Sequence, residues 1–195
     1  MKKYLGFISL MIFSISIIIC LQLYPQFDFY RNTFSFLGTI KETALIFNLT
    51  MIILGITFYI YLNYIIERYQ LTGKNNLSLK VLIILVCLSM IMVGLIPLNL
   101  NRLLHDIFAF ALFFGFALGI ILFGLRISEK QRLFGNFNIG YGIFILLTFS
   151  LINKNLITNA FNQSVYLLLS AIWIIIIFIN LEIKKSKFLL RKSFI

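Results

Sequence analysis

The sequence predicts an all-α, polytopic membrane protein: a six-helix transmembrane bundle with both termini in the cytoplasm. Three observations predict it. Hydrophobic residues make up 61% of the 195, and mean hydropathy is +1.02. An ordinary soluble domain is about 45–50% apolar, and so large an excess cannot be hidden in one small core, so much of the surface must face lipid. Charged residues are only 12% of the chain and fall between long apolar runs, the pattern of repeated spans. Lysine and arginine are shared unequally between alternate loops, as membrane orientation requires.

The apolar runs cover about 4–24, 44–64, 81–97, 105–125, 137–153 and 165–181. Each has about the 17–25 residues that a helix needs to cross roughly 30 Å of hydrocarbon. Lipid offers open backbone no partners, which leaves helices or a closed barrel. Continuous apolar runs exclude the barrel, whose strands alternate. The first run follows Met1-Lys2-Lys3 and ends in Leu21, Gln22, Leu23, Tyr24 and Pro25. It is too long for a signal-peptide core and has no small-residue cleavage site, so it reads as an uncleaved span. The fifth run has a ragged start, at Asn136, Asn138, Gly140 and Gly142.

With the N-terminus inside, the inner segments carry Lys2, Lys3, Arg68, Lys74, Lys80, Arg126, Lys130, Arg132, Lys184, Lys185, Lys187, Arg191 and Lys192. The outer segments carry Arg31, Lys41, Arg102 and Lys154. This bias sets both termini in the cytoplasm of a multi-pass cell-membrane protein, and an odd span count would put the very basic tail outside. The net charge of +11 therefore reads as topology, and no nucleic-acid partner is expected. The tail, where basic residues alternate with Phe188, Leu189 and Leu190, is either a topology anchor or a surface for anionic lipid.

The first outer loop, 25–43, is the longest outer one, and the second, 98–104, is a tight link. One domain spans the chain, without linker or low-complexity tract, and the internal repeat of many transporters is missing. Cys20 and Cys87 sit inside apolar runs and read as small buried hydrophobes. One histidine and two isolated cysteines make no metal-ligand set, so neither metal nor cofactor is expected.

One polar cluster stands out. His105, the only histidine, opens the fourth run, with Asp106 after it and Asn99, Asn101 and Arg102 before it. On this topology Ser35, Glu42 and Asn48 share its membrane side. Ionisable groups at membrane depth are costly and usually face a bundle interior or cavity. The candidate ligand-binding residues are therefore Ser35, Asn48, Asn99, Arg102, His105 and Asp106. Alternatively, His105 and Asp106 are interfacial caps, since an acid in a first helical turn suits the helix dipole. Ser35, His105 and an acid are also the residue types of a hydrolase triad, but no Gly-x-Ser-x-Gly surrounds Ser35. Ala111, Gly115 and Gly119 form a small-residue stripe, suited to close packing within the monomer or to a dimer seam.

Ser35-Phe-Leu-Gly38, then Ile46-Phe-Asn48 running to Gly55, then Gly94-Leu-Ile-Pro97 followed by His105 resemble a known pattern. The chain is similar to the bacterial six-helix membrane family of unknown function DUF998, itself distantly similar to the eukaryotic FRAG/DRAM/SFK membrane proteins. The resemblance covers spans two to four and the first outer loop. Many members carry an aspartate where this chain has Asn99, which weakens an acid–base role. The eukaryotic relatives are tied to lipid and GPI-anchor handling, so the resemblance implies a lipid-facing function.

The expected function is lipid binding or lipid organisation at the outer leaflet, with membrane lipids as partners. A membrane-embedded lipid hydrolase or transferase using the outer cluster is the alternative from another class, and a small transporter is a third. The sequence leaves open whether the chain is an enzyme. In intact cells, cysteines introduced at Asn76 and Lys187 should be shielded from an impermeant thiol reagent, while one at Asn159 should label. Labelling at Asn76 would overturn the orientation.

Overall fold

The computed structural model describes residues 1–71, 73, 76–152 and 159–193, of which 152 and 184–193 by backbone alone. Lys74 and Lys154, and the side chains of Lys184, Lys185, Lys187, Arg191 and Lys192, therefore lie outside the described residues. A short 3₁₀ turn, Lys2–Tyr4, leads into α1 (Leu5–Leu23). It is followed by α2 (Ala44–Arg68), α3 (Leu77–Leu95), α4 (Arg102–Ser128), α5 (Arg132–Ile152) and α6 (Ala160–Ser193). No strand occurs among the described residues. Among the described residues, six helices are long and apolar enough to cross a membrane.

Except for α1, which at Leu5–Leu23 is slightly shorter than the expected 4–24, the helices run longer than the apolar runs because polar residues extend them. α4 starts at Arg102, three residues before the expected 105, because Asn101 caps it: its Oδ1 accepts from the Leu104 N–H at 3.1 Å. A side-chain oxygen at this position satisfies one of the amides that a helix start leaves open. The expected fifth and sixth spans, 137–153 and 165–181, both start five residues early, and α6 also runs twelve residues past 181. α5 begins at Arg132, and Asn136, Asn138, Gly140 and Gly142 are all helical. Asn138 is fully buried: its Nδ2 donates to the Phe134 carbonyl at 2.7 Å, and its Oδ1 accepts from Trp173 Nε1 at 2.8 Å. A polar residue so satisfied is no helix breaker. Residue 153 lies outside the described residues.

α1 to α5 pack as consecutive antiparallel neighbours, and α6 returns beside α5 and α1 to close a ring. Small residues set the tight seams. A Cβ on Gly55 would stand 2.8 Å from the Cys87 carbonyl of α3, and one on Gly142 would stand 2.9 Å from the Ala117 carbonyl of α4. In the α4 stripe Gly115 is close-packed, 2.8 Å from Val86, while Gly119 has ordinary contact with Leu82 at 3.9 Å. Both face α3, so the stripe serves packing within the monomer.

α6 is held differently, by side chains. Trp173 meets Phe116 and Phe123 edge-on with ring centres 5.6 and 6.0 Å apart. The Tyr166 hydroxyl donates to the Phe113 carbonyl, and the Tyr141 hydroxyl donates to Leu169 O at 2.7 Å. At the end that carries the termini, Lys3 Nζ donates to Glu182 Oε1 at 2.7 Å, and Phe178 lies against Tyr4 and Phe7. Gly6 admits Tyr61 and Ile174 there at 2.8 and 2.9 Å from its Cβ position. Both ends of the chain thus lie at one end of the bundle.

The seams predict a contrast between two glycines of α5. Gly142→Leu should lower the unfolding midpoint in detergent, since overpacking a tight contact costs about 1–3 kcal/mol. Gly140→Ala, with nothing within 4 Å of its Cβ position, should hold or raise it. Equal midpoints for both variants would refute the close α4–α5 seam.

Candidate functional site

The end of the bundle opposite the termini is roofed by the first loop. After α1 the chain turns at Tyr24 and Asp28, and residues Phe34–Thr39 form a 3₁₀ segment within the first outer loop. Three contacts fix this roof. Thr43 Oγ1 donates to the Leu37 carbonyl at 2.6 Å, and Asn48 Nδ2 donates to the Gly38 carbonyl at 3.1 Å. Gln163 Oε1, from α6, accepts from the Phe34 N–H at 2.8 Å. The loop in turn caps α6: the Ala160 and Phe161 amides donate to the Asn32 and Phe29 carbonyls at 2.7 and 3.0 Å. The open amides of the α6 start thereby find partners in the roof.

Gly38, Asn48, Gly94 and His105, four of the residues that carried the family resemblance, come together around one knot. Asn48 stands between Gly38 and Gly94. Its Oδ1 occupies the space where a Gly38 Cβ would lie, and its backbone carbonyl sits 2.5 Å from the Cβ position of Gly94. Two residues past Gly94, the Ile96 carbonyl is 2.7 Å from His105 Nδ1. A carbonyl can only accept, so Nδ1 carries a proton, and in the tautomer with that single ring proton Nε2 holds a lone pair. His105 is 1% exposed, and its Nε2 and Asn48 Oδ1 are the buried side-chain polar atoms without a hydrogen-bond partner among the described residues.

Beneath the roof lies a cavity of roughly 550 Å³, walled by α1, α2, α3, α4, α6 and the first loop. Ser35, His105, Gln163 and Ser164 are in its wall at the roofed end, and phenylalanines and aliphatic side chains make most of the rest. The wall contains no lysine, arginine, aspartate or glutamate. It includes Ile18 of α1 and Leu168 of α6, which are 55% and 62% exposed. The cavity therefore opens sideways between α1 and α6.

Of the six candidate residues, Ser35 and His105 share this wall, and Asn48 holds the roof beside it. Asn99, Arg102 and Asp106 are exposed on the rim. Arg102 Nε pairs with Asp106 Oδ2 at 3.7 Å, one turn apart on α4 and turned away from the bundle. The triad is not assembled: Ser35 Oγ bonds Thr33 Oγ1 at 3.0 Å, and His105 Nδ1 is held by a carbonyl, not a carboxylate. No group of three metal-ligating residues occurs among the described residues. Gln163 is the residue that sequence reasoning missed. Its signal was the polar run Asn159, Asn162, Gln163 and Ser164, just before the expected sixth span.

Residues 7–180 match the family described as "Protein of unknown function (DUF998)". The match runs from α1 well into α6, beyond the spans that the sequence motifs cover. Neither the curated proteins nor the solved structures include a match to the chain.

Asn48→Leu should strand the buried Gly38 carbonyl, at about 1–3 kcal/mol, and lower the unfolding midpoint in detergent by several degrees. Asn99→Ala, on the exposed rim, should leave the midpoint unchanged. A neutral Asn48→Leu would show that the roof does not depend on this bond.

Proposed function

From the premise that the chain belongs to this family of unknown function, we propose that it is a lipid-binding membrane protein that draws an acyl chain sideways from the bilayer into the cavity between α1 and α6. The observation that carries this reading is the cavity itself. Ligand sites are usually about 300–1,000 Å³, mostly apolar, with a few placed polar groups, and this one has that size and composition. Its side opening faces hydrocarbon, so an acyl chain enters without crossing water, and each buried CH₂ is stabilised on either side of the portal alike. Net preference for the cavity then rests on the polar end of the lipid, which meets Ser35, His105 and Gln163.

The bias of basic residues puts the termini in the cytoplasm, so the roofed end faces outward and the lipid comes from the outer leaflet of the cell membrane. The similarity to lipid-handling FRAG/DRAM/SFK proteins, drawn from the sequence, points the same way. The reading is one of binding: a nucleophile–base pair is not formed by Ser35 and His105 as they stand.

The test is to fill the cavity. Ala109 and Ala171 lie in its wall and Ile84, exposed on α3, does not. In the purified protein, Ala109→Trp and Ala171→Trp should each cut crosslinking to a photoactivatable acyl-chain lipid several-fold. Ile84→Trp should crosslink as the parent does. Equal labelling of all three would overturn the proposal.

A further inference from the structure

We infer that the polar end of the lipid held here is uncharged and carries an O–H that His105 Nε2 accepts. The inference rests on the cavity reading above and goes beyond it to the chemical class of the ligand. Three observations carry it.

The first is the tautomer. The Ile96 carbonyl at 2.7 Å fixes the ring proton on Nδ1, which leaves Nε2 as an acceptor of hydrogen bonds. The second is the lack of a partner. Nε2 is buried, belongs to a residue of the cavity wall, and has no hydrogen-bond partner among the described residues. The neighbouring polar groups are engaged with one another: Ser35 with Thr33, and Gln163 Oε1 with the Phe34 amide. A buried acceptor left unmatched costs stability, and a ligand that supplies the donor recovers it. The third is the charge of the wall. No charged side chain contributes to it, and Arg102, one turn before Asp106, is turned outward into its own ion pair. A phosphate, carboxylate or ammonium drawn inside would be desolvated without a counter-charge. Long-chain alcohols, monoacylglycerols, diacylglycerols and protonated fatty acids share the required chemistry: an apolar tail and an uncharged O–H donor. Phosphodiester and quaternary-ammonium headgroups do not have it.

His105 is the only histidine in the chain, so ¹⁵N-histidine labelling of the full-length protein in nanodiscs reports one imidazole. The probes are tetradecanol, its methyl ether and its phosphate monoester. Tetradecanol should bind about tenfold tighter than the ether and move the Nε2 resonance in the direction of an accepted hydrogen bond. The phosphate should bind no better than the ether. His105→Phe should keep chain binding and lose the preference for alcohol over ether. If alcohol and ether bind equally and neither moves Nε2, the headgroup inference fails while the cavity reading stands. A phosphate that binds tightest overturns the uncharged head. If none of the three probes binds, the cavity reading itself falls.

Discussion

Hydrocarbon offers a peptide group no hydrogen bond, and the layout of this bundle follows from that constraint. Within the spans the helices satisfy their own backbones. Where the chain leaves α-helical geometry at the roofed end, in 24–43 and 96–101, something else must do so. Here the work falls to Thr43, Asn48, His105 and Gln163, each of which bonds a main-chain group of a loop. These few polar side chains therefore gather at one end of the molecule, and a candidate site and a structural lock occupy the same place. His105 belongs to both: one ring nitrogen holds the turn after α3, and the other is buried in the cavity wall with no hydrogen-bond partner among the described residues.

The bundle combines two kinds of packing. From α2 to α5, glycines bring neighbouring backbones together, and the seams are narrow. Around α6, aromatic side chains act as spacers, and contact is made by rings and single polar bonds instead of backbone approach. Spacers leave room. The cavity lies on the side where α6 and α1 meet, closed at one end by Lys3–Glu182 and the Gly6 contact and at the other by the first loop. Tight seams on one side make a rigid wall, against which the looser side can hold a guest.

How much of this was legible beforehand depended on whether the signal was local. The six spans were, because hydropathy is read residue by residue. The start of α5 was not, because Asn138 looks like a loop residue until Trp173, far along the chain, is seen to satisfy it. The sequence pointed to His105 as a polar group at membrane depth, and the structure adds a partner, the Ile96 carbonyl, which no side-chain pattern reveals. Asn99, Arg102 and Asp106 were grouped with it by proximity in sequence, whereas helix geometry carries them to the rim. The cavity had no sequence signal at all, since it consists of volume that distant side chains fail to fill. The family pattern reads best in retrospect: Gly38, Asn48, Gly94 and His105 are scattered in the chain and touch, or nearly touch, a common knot.

The single tryptophan gives the molecule an optical property of its own. Trp173 is buried among Phe116, Phe123 and Asn138, and Phe116 and the adjacent Ile174 both belong to the cavity wall. Its indole N–H is bonded to the Asn138 amide oxygen and shielded from solvent, so its emission should be blue-shifted and should respond to the packing of those two neighbours. A guest that shifts Phe116 changes the indole's surroundings without touching it. The bundle thus contains one native chromophore, one contact away from the space in question, against a background of tyrosines that longer-wavelength excitation leaves dark.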